Sequence, residues 1–112
     1  MKFQIGPDKH QYIYTETDMA VNGATVYKCR RGQDGGTDHV LFLARAQDGR
    51  WIAREAYKDS LQPVLEGKKI FMTQEEIVDI TNEGDFKWMM YDAAKATWYN
   101  LKYPFRTKVI EY

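Results

Sequence analysis

The sequence predicts a mainly β, single-domain protein spanning residues 1–112, a small antiparallel sandwich or barrel of seven to nine short strands. Three observations carry this. Aromatic residues make up 14% of the chain and fall in short runs with Val, Ile and Thr, the side chains that suit a pleated surface. Asn-Gly and Asp-Gly pairs, which supply the positive φ of tight hairpin turns, stand between such runs. Turn signals recur every about 8–12 residues, the spacing of sandwiches and barrels.

The first expected strand is Gln11 to Thr15, and Asn22-Gly23 opens a second over Ala24 to Arg30. The acid- and glycine-rich stretch Gln33 to Asp38 reads as a surface loop. Val40 to Ala46 and Trp51 to Ala56 flank Gln47-Asp48-Gly49-Arg50 and form the clearest hairpin. Lys68 to Met72 fits a strand, while Thr73-Gln74-Glu75-Glu76 has the capping-box form that opens helices. A short helix near 73–82, with Ile77 and Ile80 on one face, and a strand through Ile77 to Ile80 both remain open. Phe86 to Tyr91 leads through Asp92 to Lys95 into Thr97 to Leu101, a second hairpin in which Phe86, Trp88 and Met90 share the core face. Pro104 then breaks the chain before a last strand at Arg106 to Tyr112.

Composition narrows function by exclusion. Hydrophobic residues at 44% and charged residues at 29% are those of a folding chain. The 16 basic and 16 acidic residues cancel, which disfavours nucleic acid and anionic membranes as partners. Cys29 is the sole cysteine, so neither an intrachain disulfide nor a four-thiolate zinc site is available. No apolar run reaches the about 18 residues of a membrane span. Met1 to Gly6 followed by Pro7-Asp8-Lys9-His10 lacks the apolar region of a signal peptide, so the chain reads as soluble with no visible address.

The order Val21-Asn22-Gly23-Ala24-Thr25-Val26-Tyr27-Lys28, Val40 to Ala44, Asp48-Gly49-Arg50-Trp51-Ile52 and the hairpin from Trp88 to Trp98 resembles an uncharacterised β-rich module of marine algal, protist and invertebrate proteins. That module reads as Asn-Gly-x-x-Val-Tyr, an aromatic strand, Asp-Gly-x-Trp-x-Ile and a closing Trp-containing hairpin. The resemblance covers Tyr14 to Tyr112, departing at Ala24-Thr25, where Arg-Pro is usual, and in a longer stretch from Leu65 to Asp85. It implies a compact extracellular-style or accessory β-module and no particular ligand.

Catalytic patterns are sparse. Ser60 is the only serine and lacks a Gly-x-Ser-x-Gly elbow, and His10 and His39 are the only histidines. Asp34, Asp38 and His39 are the nearest approach to a metal cluster, but without EF-hand spacing they read as a solvated acidic turn. Glu75, Glu76 and Asp79 read likewise as an acidic edge and not as a facing carboxylate pair. Cations interleave with aromatics at Lys28 to Arg31 and Lys102 to Lys108, which an outward-facing amphipathic strand explains. No cofactor is expected.

The aromatic excess is the remaining signal. Thr97-Trp98-Tyr99-Asn100 places a large ring on each face of one strand, so Trp98, Tyr99 and Tyr103 are the expected contact residues. The leading expectation is a non-enzymatic interaction module that binds a protein partner or carbohydrate through an aromatic β-surface. A small-molecule carrier with an interior barrel pocket and an enzyme of unrecognised type are the alternatives. Exposed edge strands also allow homo-oligomers, against which Lys108 and Glu111 can act as protective charges.

Overall fold

Turn chemistry sets the register of the sheet. The structure, a computed structural model, describes residues 1–6, 12–30, 39–57 and 67–112, with only the backbone of Tyr12, Arg30, His39, Ala56 and Tyr57. Within these lie ten strands: β1 (Lys2–Ile5), β2 (Tyr12–Val21), β3 (Ala24–Arg30), β4 (His39–Arg45), β5 (Trp51–Tyr57), β6 (Lys68–Thr73), β7 (Gly84–Phe86), β8 (Trp88–Asp92), β9 (Thr97–Asn100) and β10 (Phe105–Glu111). Asn22 and Gly23, with φ of 51° and 78°, form the two-residue turn that pairs Val21 with Ala24. Gly49, at φ 86°, closes the loop between β4 and β5, where Ala46 N–H donates to Arg50 O at 2.7 Å and Gly49 N–H to Ala46 O at 3.0 Å.

All strand pairs are antiparallel, and the order is β7-β10-β1-β2-β3-β4-β5-β6-β8-β9. Only Lys87 separates β7 from β8, yet β7 pairs with β10 and β8 with β6. One end strand, β7, and the penultimate strand of the other end, β8, therefore adjoin in one stretch of chain. Gln74 N–H donates to Lys87 O at 3.0 Å and holds the junction. A single sheet thus curls into a half-barrel, and the described strands do not divide into two stacked sheets.

The interior of this half-barrel holds the main core. Phe3, Ile5, Tyr14, Cys29, Leu41, Leu43, Trp51, Ala53 and Trp88 are buried in it, each at 5% exposure or less. Aromatic rings run through it: Phe3 lies 4.8 Å edge-on to Tyr27 and 5.5 Å from Tyr14, and Phe71 meets Trp88 and Phe105 edge-on at 6.4 and 5.9 Å. On the outer side of β3 and β4, Val26, Val40, Phe42 and Ala44 form a smaller cluster with Met19 and Val21. Both faces of β4 are buried, which is why its sequence is a continuous apolar run.

Neither open reading of residues 73–82 holds. Among the described residues there is no helix, and Gln74 to Glu83 is an irregular loop. The expected capping residue, Thr73, ends β6, is fully buried, accepts the Trp51 amide at 2.9 Å and donates to Glu75 O at 2.9 Å. Its hydroxyl is spent across the sheet and cannot cap a helix. The loop instead plugs one end of the barrel. Ile80 is 1% exposed in the core, Trp51 Nε1–H donates to Ile77 O at 2.8 Å, and Ile77 N–H donates to Gly49 O at 3.1 Å. Asp79 Oδ1 accepts from the Thr81 amide at 2.9 Å and hydroxyl at 2.6 Å, fixing the turn behind the plug. No helix among the described residues is long and apolar enough to cross a membrane.

Two interior groups supply tests. Among the described residues, the fully buried Thr107 hydroxyl finds no hydrogen-bond partner. Thr107→Val keeps the shape and removes that polar group, so it is expected to stabilise the fold by about 1 kcal/mol in urea unfolding; a loss of similar size would show that the hydroxyl is satisfied in solution. Burial, and secondarily the charges of Asp79 and Glu16, raise the pKa of the Tyr27 phenol. The folded protein therefore holds this proton more tightly than the unfolded chain. The corresponding stability is complete below the ordinary tyrosine value of about 10 and is lost as pH rises through the folded value. Tyr27→Phe is expected to flatten the fall in stability between about pH 9 and about pH 11.

Candidate binding surface on the β8–β9 hairpin

Alternation along β8 sorts its side chains. Trp88 points into the barrel and is 2% exposed, so Met89 and Tyr91 face outward. Register pairs Tyr91 with Trp98 on β9, and their rings meet edge to face at 5.0 Å and 65° on the outer surface. The Lys69 ammonium of β6 lies 5.3 Å from the Tyr91 ring centroid. Asp92 Oδ1 accepts from the Ala94 and Lys95 amides at 3.0 and 3.2 Å, which shapes the connecting turn. Ala96, at φ 51°, completes it.

The expected contact residues fall on different aspects of this hairpin. Trp98 is half-buried beside Tyr91 on the outer face. Tyr99, its neighbour in sequence, turns to the opposite face, is 48% exposed and donates its hydroxyl to Met90 Sδ at 3.6 Å. Tyr103 lies where the chain breaks between β9 and β10, is 70% exposed and has the Lys102 ammonium 5.6 Å from its ring centroid. Trp98 and Tyr99 therefore do not form one flat platform. Trp51 and Trp88, at 2% exposure each, belong to the core. Lys69 has no local sequence signal that marks it as a neighbour of the site. Its proximity to Tyr91 arises from β6–β8 pairing across a gap in sequence, where Phe71 pairs with Met90.

Other candidate groups do not converge. Among the described residues, no group of three or more His, Cys, Asp and Glu side chains is placed to hold a metal ion. Asp34, Asp38, His10 and Ser60 lie outside the described residues, as does the His39 side chain. Glu76 sits 3.7 Å from Arg45, Asp79 serves the plug turn, and Glu75 is exposed, so the three acids do not face one another as a pair. Cys29 is buried at 1% exposure in the core.

The chain matches no protein-family model, no curated protein and no solved structure. Its functional reading therefore rests on the surface just described.

Proposed function

We propose that this domain is a non-enzymatic interaction module that binds a protein partner through the β8–β9 hairpin and the adjoining Tyr103. One observation carries the reading: Tyr91, Trp98 and Tyr99 on the β8–β9 hairpin and Tyr103 just after it, at the end of the sheet order, are none of them fully buried, while Trp51 and Trp88 serve the core. Large amphipathic rings at a surface supply contact area at little entropic cost, which is why Tyr and Trp anchor interfaces. A protein suits the surface better than a sugar. Stacking on a sugar uses an open ring face, whereas Tyr91 and Trp98 stand at 65° and Tyr91 has a lysine over it. The packed rings inside the barrel weigh against the carrier alternative.

The test is a screen of peptides, oligosaccharides and apolar small molecules, read by amide shifts of the isotope-labelled protein. Peptide hits that move Met89 to Tyr103, and that weaken about thirtyfold or more in Trp98→Ala, are the expected result, the size being that of an interface anchor of about 2 kcal/mol. The variant's Trp51 and Trp88 near-ultraviolet signals are expected to persist. Shifts centred on Trp51, Trp88 and Phe71 with an apolar molecule would replace the module reading with the carrier.

A further inference from the structure

We infer that the partner of this hairpin is an extended acidic protein segment, which adds along the β9 edge among the surrounding lysines. The inference rests on the reading of the hairpin as a binding surface and names the chemistry of what it binds. The chain's zero net charge conceals a segregation. From Gln74 to Asp85 the sequence holds Glu75, Glu76, Asp79, Glu83 and Asp85 and no cation, and this stretch forms the plug and the start of β7. Beside the hairpin stand Lys69, Lys95 and Lys102, all exposed. None of these three lysines is in an ion pair among the described residues. The only acid in the sequence between Phe86 and Pro104 is Asp92, whose Oδ1 is engaged by two turn amides. Local charge, not net charge, decides what a surface attracts, and among the described residues the lysines beside the hairpin outnumber its one acid.

Two further observations favour a polypeptide over single-stranded nucleic acid, which also takes basic surfaces with aromatic rings. Stacked bases need open ring faces in series. The Lys69 and Lys102 ammoniums lie over the Tyr91 and Tyr103 rings, and Trp98 meets Tyr91 edge to face. Meanwhile β9 ends the sheet order, and among the described residues it pairs with β8 alone. The backbone groups of its other edge are what an extended segment pairs with when it adds as a further strand. An acidic segment placed there meets lysines that pair with no acid among the described residues.

The experiment titrates the labelled full chain with an alternating Glu–Val peptide, the Lys–Val counterpart and oligo-dT. The expected result is that the Glu–Val peptide alone moves the amides of Thr97 to Asn100 and of Lys69. Its affinity is expected to fall about tenfold or more when salt is raised from about 0.05 to about 0.5 M, as screening predicts. The double variant Lys69→Glu/Lys102→Glu, with the amide dispersion of a folded chain, is expected to bind it about tenfold more weakly. Equal binding of both peptides at the hairpin overturns the acidic specificity and leaves the module reading standing. Preferential binding of oligo-dT overturns the polypeptide assignment. A titration in which neither peptide moves a hairpin amide overturns the acidic-segment inference, and the module reading falls with it only if the broader screen is also blank.

Discussion

Trp51→Ala is expected to destabilise the domain by about 3–5 kcal/mol, the range for truncating a buried aromatic side chain. The expectation rests on two roles of this side chain. Its ring is 2% exposed and lies 6.2 Å from the Tyr27 ring inside the barrel. Its indole N–H, donating to Ile77 O at 2.8 Å, ties the plug loop to the wall. Urea unfolding measures the sum, a midpoint lowered by roughly 2 M for a slope of about 1.5–2 kcal/mol per M. Trp51→Phe separates the terms, because it keeps most of the ring and removes the donor. That variant is expected to cost about 1–2 kcal/mol, with faster amide exchange at Ile77 and Asn82 than in the strands. If exchange in the loop is unchanged, the indole bond does not hold the plug.

The same tryptophan illustrates what is legible in the sequence. Local chemistry was readable: Asn22-Gly23 and Asp48-Gly49 dictate φ values that glycine and asparagine tolerate, and hairpins stand at both places. The β8–β9 hairpin and the break at Pro104 were legible for the same reason. Ten strands exceed the seven to nine expected, because β1 has only the half-pattern Lys2-Phe3-Gln4-Ile5 and Lys87 divides one expected strand into β7 and β8. That division reflects a change of pairing partner, a tertiary fact with no local signature.

The loop from Gln74 to Glu83 was misread for a related physical reason. A Ser/Thr-x-x-Glu string stabilises a helix when the hydroxyl and the carboxylate exchange bonds with the first-turn amides. Here the Thr73 hydroxyl is taken by the Trp51 amide, 22 residues away, and Glu76 reaches toward Arg45. Long-range bonds overrode a local preference of about 1 kcal/mol. The candidate surface was legible in part. Trp98, Tyr99 and Tyr103 could be named from the aromatic excess, but the face each takes and the lysines beside them depend on register between β6, β8 and β9.

Thr73→Val is expected to cost about 2–3 kcal/mol although it nearly preserves volume and improves β propensity. Thr73 is fully buried, and its oxygen is the acceptor for the Trp51 amide at 2.9 Å, at the point where the β5–β6 ladder reaches the hairpin. Valine fits the space but strands that amide, and the donor that served Glu75 O disappears with it. A buried amide left unpaired costs about 1–3 kcal/mol, more than the transfer gain of one methyl group. Thr73→Ser is the control, since it keeps the hydroxyl and deletes the methyl, at a cost of about 1 kcal/mol. Apolar packing alone ranks valine above serine at this buried position, and hydrogen bonding ranks serine above valine. Urea midpoints for the two variants therefore decide the matter. With valine the more stable of the pair, the Thr73 bond would be incidental; with serine the more stable, one hydroxyl joins the plug loop to the barrel wall.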